Sequence, residues 1–349
     1  MKIAILAPTL RKQDYDFQIK RYLKEFTKES DEITIFALDA DISFDNARLC
    51  IIGMPKNLLF QRIYRLTFPL DFIKTLMWLP KLRKFDLIIS HLYPMNWLAF
   101  LSKKLYKIEY IYWYHGIPSL QYYPKLYEKF YLKLFLFLTK ITVQNVDQAF
   151  AISKFAQKEL KKYTGLDSKL IYCTVDKKKF NKNINGSIIR DKLSLDNNQV
   201  ILNVARITPL KGAHLLIESF KIIKQKLPNV KLVIVGEHTH SYYTQKLIEN
   251  SDDSVIFTGP ISNEVIPLYY AMCDIYATCT VWETFNVPIA EAQACGRPVV
   301  AFNIGPHPEV IDENGILVEE GNVEEFAKAC INKLLEVRGD TVEHNRKEL

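Results

Sequence analysis

The sequence predicts two doubly wound α/β domains, and three observations carry that expectation. Short apolar runs alternate with helix-periodic segments along the chain, the pattern of parallel sheets covered by helices on both faces. The alternation is interrupted once, by the polar stretches Lys177-Lys-Lys-Phe-Asn-Lys-Asn-Ile-Asn-Gly-Ser187 and Asp196-Asn-Asn-Gln199. A length of 349 residues also exceeds what one hydrophobic core usually serves. The expected division is a Rossmann-like domain over residues 1–180, a linker over 181–198 and a second Rossmann-like domain over 199–349.

In the first domain the expected strands are Lys2–Ala7, Ile33–Leu38, Asp86–Ser90, Tyr110–Tyr114 and Ala149–Ile152, with helices from about Asp16 to Lys28 and from Tyr123 to Lys140. In the second they are Val200–Ala205, Lys231–Val235, Val255–Thr258, Ile275–Ala277 and Pro298–Phe302, with a late helix over Val323–Leu335. The apolar start Met1-Lys-Ile-Ala-Ile-Leu-Ala-Pro8 is short and runs at once into Arg11, Lys12, Asp14 and Asp16, so it reads as a buried strand rather than a signal peptide.

Composition excludes several classes. With 48% hydrophobic and 24% charged residues the chain is neither disordered nor collagen-like. The six cysteines are scattered, without a C-x-x-C or paired His spacing, and predict reduced thiols with no zinc site and no disulfide framework. The most apolar stretch, Phe130–Leu138, carries Lys133 and soon meets Lys140, so no spanning helix is expected.

Charge is unevenly shared. Residues 1–180 hold 30 Lys+Arg against 17 Asp+Glu, and residues 181–349 hold 16 against 22. Within 51–140 the ratio is 14 to 4, interleaved with aromatics. Two readings stay open here: a face toward an anionic membrane, or a solvated basic face over an aromatic core. No nucleic-acid motif accompanies the charge, so no nucleic-acid partner is expected.

The chemistry concentrates in Trp282-Glu-Thr-Phe-Asn-Val-Pro-Ile-Ala-Glu-Ala-Gln-Ala-Cys-Gly-Arg-Pro298. Glu283 ends a loop, a helix starts around Asn286 and Pro288, and Glu291 follows two turns in. Backbone N–H groups around Phe285, Asn286 and Val287 suit phosphate oxygens, and carboxylates accept hydrogen bonds from sugar hydroxyls. The combination fits a nucleotide-sugar. Upstream, strand Val200–Ala205 runs into Arg206-Ile-Thr-Pro-Leu-Lys211-Gly212, placing a planar fork and a point charge five residues apart across a strand-to-helix turn. Such a pair can converge on one pyrophosphate.

At these residues the chain resembles the retaining GT-B glycosyltransferases of family 4, the group 1 glycosyl transferases, whose donor domain carries an Arg, a Lys-Gly and two Glu separated by seven residues. The likeness is strong from Ile201 to about Lys333 and weaker, but in register, before that. It implies a GT-B fold, two Rossmann-like domains with parallel sheets facing across an inter-domain cleft. It also implies a glycosyltransferase of hexosyltransferase type that retains anomeric configuration. Arg206 and Lys211 would hold the diphosphate, Glu283 the hydroxyls of the transferred sugar and Glu291 the ribose diol. Gly236-Glu237 and Gly259-Pro260-Ile261 would border the base. In the first domain, His115-Gly116 matches the family's His-Gly near the donor sugar. Ser153 and Lys154, after Ala151-Ile, are acceptor-side candidates, although a helix N-cap explains Ser153 equally well.

The resemblance further implies no cofactor beyond the nucleotide-sugar co-substrate and no metal. The acceptor would be a hydroxyl of a lipid-linked or cell-surface glycan. The location would be cytoplasmic, with the basic first domain suiting the inner face of the plasma membrane. Two departures stand out. Asn286 occupies the place where the family has Gly, and Pro8-Thr-Leu-Arg-Lys-Gln-Asp14 replaces a glycine-rich loop. Rival readings are a metal-dependent transferase using Asp14-Tyr-Asp16 or Asp39-Ala-Asp41, a nucleotide-sugar epimerase or hydrolase, and a non-catalytic nucleotide-sugar-binding subunit. A dehydrogenase is disfavoured because no Gly-x-Gly-x-x-Gly follows any strand.

Overall fold

The computed structural model describes residues 1–10, 28, 31–42, 47–117, 119–238 and 241–339, and the chain divides into two compact units, Met1–Tyr172 and Cys173–Leu349. Residues of the expected helix Asp16–Lys28 other than Lys28, the Asp14-Tyr-Asp16 pattern, and Arg11 and Lys12 lie outside the described residues.

The first unit is built on a parallel seven-stranded sheet ordered β3-β2-β1-β4-β5-β6-β7. The strands are β1 Lys2–Leu10, β2 Glu32–Ala40, β3 Arg48–Ile51, β4 Leu87–Ser90, β5 Glu109–Tyr114, β6 Gln148–Ala151 and β7 Lys169–Leu170. β1 is apolar on both faces because helices cover both sides of a parallel sheet. It pairs Ile3 with Ile33 on one side and with Leu87 on the other. Pro8, Thr9 and Leu10, expected as the start of a loop, extend this strand. Among the described residues its helices are α1 Leu58–Thr67, α2 Phe72–Leu82, α3 Asn96–Tyr106, α4 Leu126–Thr142 and α5 Lys154–Thr164. α4 begins three residues later than the expected Tyr123, beyond Pro124, which disfavours helical geometry in the residue before it.

The second unit holds a parallel six-stranded sheet ordered β10-β9-β8-β11-β12-β13. Its strands are β8 Gln199–Val204, β9 Val230–Val235, β10 Val255–Gly259, β11 Ile275–Thr278, β12 Val299–Phe302 and β13 Ile316–Val318. Its helices are α6 Ser187–Lys192, α7 Ala213–Lys226, α8 Ser241–Glu249, α9 Ile266–Met272, α10 Val287–Ala294, α11 His307–Val310 and α12 Val323–Arg338. Ile201, Leu232, Ile275 and Val300 of the strands are buried with Phe220 of α7 and Phe326, Cys330 and Leu334 of α12. The polar stretch 181–198 carries α6, and Arg190 donates to the carbonyl of Met272 at 2.7 Å.

Strand order reverses between β1 and β4 in one unit and between β8 and β11 in the other. At such switch points the loops beyond the carboxyl ends splay apart and leave room for a ligand. Among the described residues no helix is long and apolar enough to cross a membrane.

Candidate functional site

The switch point of the second unit collects the cations and acids singled out in the sequence. β8 ends at Val204 and Arg206 emerges beyond it with its side chain exposed. The chain is held there by backbone bonds from Ala205 to Val235 and from Ile207 to Glu237, both 2.9 Å. Gly236 allows this close approach, since a Cβ on it would lie 1.8 Å from the carbonyl oxygen of Ala205.

A single 3-10 turn, Pro209–Lys211, then hands the chain to α7 through Gly212 at φ +67°, where a Cβ would lie 1.9 Å from the carbonyl oxygen of Cys279. The turn is thereby pressed against the end of β11. The carbonyl of Leu210 accepts from the Val281 N–H and the Thr280 hydroxyl, each at 3.0 Å. This lacing puts the ammonium of Lys211 against the carboxylate of Glu283, and the two form a partly buried ion pair. Residues 72 apart in sequence thus share one charge-balanced spot.

Glu283 leads into α10. Asn286, the N-cap, takes φ 66° and ψ 69°, left-handed geometry that Asn adopts more readily than other residues bearing a Cβ. Its side chain meets Nε2 of His307 at 2.9 Å, while Nδ1 of His307 meets the carbonyl of Phe302 at 2.6 Å. A carbonyl only accepts, so Nδ1 carries the proton, Nε2 accepts, and the Asn286 amide donates. Burial lowers the pKa of His307, in keeping with a neutral ring. The residue replacing the family's glycine is therefore pinned by a histidine.

Glu291, in the second turn of α10, is buried. Its Oε2 accepts from the hydroxyl of Tyr270 at 2.7 Å, and its buried Oε1 has no hydrogen bond among the described residues. Burial raises its pKa to about 8, against the opposing pull of the Tyr270 hydrogen bond. Phe285 is buried and Val287 half-buried at the start of α10. At the ends of β9 and β10, Glu237 and Pro260 are exposed and Ile261 half-buried, while the Gly236 N–H donates to the Gly259 carbonyl at 3.0 Å.

In the first unit His115 follows β5 and His91 follows β4, its neighbour in the sheet. The two rings lie at 28° with Nδ1 of His91 2.8 Å from Nε2 of His115, so one donates and the other accepts. Burial holds His115 down to about 4 and His91 well below its ordinary value, the latter helped by its neighbour. Ser153 is buried and accepts from the Ala156 N–H at 2.9 Å as the N-cap of α5, with Lys154 exposed as the first helical residue. Among the described residues no group of three or more His, Cys, Asp or Glu is placed to hold a metal ion.

His91, Tyr270 and His307 were not anticipated from sequence. His91 stands at the carboxyl end of an expected strand, the same signal that singled out His115. His307 lies in Gly305-Pro-His-Pro-Glu309, where its contact with Asn286 depends on folding.

Two parallel-sheet units, with a cation–carboxylate pair at the switch point of the second, define a GT-B protein. The crystal structure of Anabaena HepE in complex with UDP and glucose shares this fold with a TM-score of 0.77 at 22% identity, over 98% of this chain and 91% of that one. The model of the family described as glycosyl transferases group 1 matches residues 186–347, and that of glycosyltransferase family 4 matches residues 18–179. The chain belongs to these group 1, family 4 glycosyltransferases. It is 30% identical over 214 residues to the putative glycosyltransferase YtcC of Bacillus subtilis, covering 54% of this chain and 52% of that one. It is 28% identical over 159 residues to a GDP-mannose-dependent α-(1-6)-phosphatidylinositol monomannoside mannosyltransferase of Mycobacterium tuberculosis, covering 42% and 41%. The matched segment thus spans about half or less of these curated relatives.

Proposed function

We propose that the chain moves a sugar from a nucleotide-diphosphate sugar to a hydroxyl acceptor with retention of anomeric configuration. One observation supports the reading: Lys211, on the turn that follows β8 and Arg206, is ion-paired with Glu283, which leads into α10. An incoming diphosphate competes for the Lys211 ammonium, and its release frees the Glu283 carboxylate for sugar hydroxyls. The bond between the anomeric carbon and the diphosphate breaks, and the acceptor oxygen bonds on the same face. The acceptor proton passes to the departing diphosphate. Arg206, Lys211 and the α10 N–H groups stabilise the charge that develops there.

Glu291 serves the ribose and His115 the transferred sugar by family resemblance, and the reaction needs no metal. HepE was solved with UDP and glucose, and the mycobacterial relative is named for GDP-mannose and a phosphatidylinositol glycan; both support a nucleotide-sugar donor, and the second a lipid-linked acceptor. The basic first unit supports a peripheral site on the cytoplasmic face of a membrane. A panel of nucleotide-sugars, incubated with the protein and a lipid-linked glycan, tests the reaction by product mass and anomeric NMR. Glycosylated acceptor with the donor's anomeric configuration is the predicted result. Free sugar alone, an epimerised donor, or binding without turnover would replace this reading with a hydrolase, an epimerase or a binding subunit.

A further inference from the structure

A helix on a protein surface normally turns polar residues outward, but α2 turns apolar ones outward as well as inward. Its buried stripe runs through Thr75, Leu79 and Leu82, and its outward stripe is Phe72, Ile73, Leu76, Met77 and Pro80. Ile73 is 80% exposed and Leu76 73%. α1 adds outward Leu59, Phe60 and Ile63, and α4 adds Leu126, Phe130 and Phe137 at helical spacing, with Phe130 69% exposed. Monomeric soluble surfaces seldom carry so much clustered apolar area without a partner.

The three helices stand on one floor. Tyr93 donates its hydroxyl to the carbonyl of Leu66 in α1, and its ring packs edge-on against Phe135 of α4, with centroids 5.3 Å apart. Asp71, the N-cap of α2, accepts from the Lys74 N–H at 3.0 Å and from the Tyr64 hydroxyl at 2.9 Å, joining α2 to α1.

Charge identifies the occupant. Residues 57–84 and 125–142 hold ten Lys+Arg and two Asp+Glu, and one of the acids, Asp71, is spent on capping. Lys81, Arg83, Lys84, Lys125, Lys133 and Lys140 are exposed around the apolar stripes. Lys81 also holds its ammonium 3.9 Å above the ring of Trp78. Apolar side chains ringed by long cationic stems match an anionic bilayer, where the stems reach phosphates while the apolar groups enter the acyl boundary.

We infer that the α1–α2–α4 face of the first unit inserts its apolar side chains into an anionic lipid surface. This deepens the peripheral-membrane reading above and rests on it: adsorption by charge alone would leave Ile73 and Leu76 idle.

Co-sedimentation of the full chain with vesicles of phosphatidylcholine, with and without phosphatidylglycerol, separates the two ideas when run at 0.1 M and 1 M salt. The Debye length falls from about 10 Å to about 3 Å between these salts, so charge adsorption is lost while inserted side chains keep a bound fraction. The parent is expected to prefer anionic vesicles and to stay partly bound at 1 M salt. The Ile73→Glu/Leu76→Glu variant is expected to bind about tenfold more weakly or worse, since it removes two apolar anchors. Both positions are exposed, so a donor-induced shift in melting temperature should match the parent's and report an intact fold.

An Ile73→Trp variant quenched by brominated acyl chains would support insertion directly. Full release by salt, with the double variant binding like the parent, overturns insertion and leaves electrostatic adsorption standing. No binding to any vesicle overturns both. Equal binding to neutral vesicles contradicts the role of the cations. Concentration-dependent dimers of the parent that the double variant abolishes would assign the face to a second copy instead.

Discussion

The side-chain amide of Asn286 donates to Nε2 of His307 across 2.9 Å, fixing the left-handed residue that starts α10. Asn286→Gly keeps the backbone relaxed but leaves the His307 nitrogen buried and unsatisfied, a cost of about 1–3 kcal/mol. Asn286→Ala adds left-handed strain of roughly 1–2 kcal/mol to the same loss. Urea unfolding should therefore rank parent, Gly variant and Ala variant in falling order. An Ala variant as stable as the parent would show that the amide bond and the backbone geometry carry no weight.

The diphosphate clamp makes a kinetic prediction. Arg206→Ala and Lys211→Ala should each lower turnover by roughly 10²-fold or more, as removal of a transition-state donor does, with circular dichroism unchanged. Wild-type turnover in both variants would remove these cations from the reaction.

Glu291 gives a pH dependence with a definite sign. Its pKa is raised by burial from 4.5 to about 8, so the folded chain keeps a proton that the unfolded chain has released. The contribution to stability therefore falls as pH rises from about 4.5 to about 8, by up to about 1.4 kcal/mol per pH unit. Glu291→Gln retains an acceptor for the Tyr270 hydroxyl and removes the titration. Stability of this variant relative to the parent should climb across that window, and a constant difference would contradict the burial argument.

The histidine pair of the first unit acts in the opposite sense. Burial lowers His115 from 6.5 to about 4, so the neutral ring contributes stability that is present above pH 6.5 and lost as pH falls through the lowered value. His115→Gln should flatten the acid limb of stability in this window. Turnover should drop in the same variant, and parallel acid curves for parent and variant would place the ring's titration elsewhere.

On the proposed reading Arg206 and Lys211 take the role that a metal takes in Asp-x-Asp enzymes, so chelation should leave turnover unchanged. Loss of activity restored by Mn²⁺ would point instead to a metal site.

Much of the fold was legible because a parallel strand buried on both faces is an uninterrupted apolar run. β1, β2, β5, β8 and β9 appear within a few residues of their expected bounds. Three edge strands, β3, β7 and β13, only four, two and three residues long, are too short to show such a run and escaped notice. The helices α1 and α2 were also not among the expected elements, and the apolar residues of α2 lie on its outward side as well as its inward one. In the candidate site, spacing singles out Arg206, Lys211, Glu283 and Glu291 as candidates. The pairing of Lys211 with Glu283, the burial of Glu291 against Tyr270 and the hold of His307 on Asn286 were not legible, because each joins segments brought together only by the sheet.

On the reading proposed above, Arg206, Lys211 and Glu283 receive a nucleotide-diphosphate sugar. Its most direct test is a thermal-shift titration of parent and Lys211→Ala protein against UDP- and GDP-sugars. A ligand that binds only the folded state stabilises it by about 2.7 kcal/mol at a hundredfold excess over its Kd. One nucleotide-sugar should raise the melting temperature of the parent and fail to do so for the variant at the same concentration. A donor that stabilises both proteins equally, or a panel in which none stabilises the parent, would contradict the account.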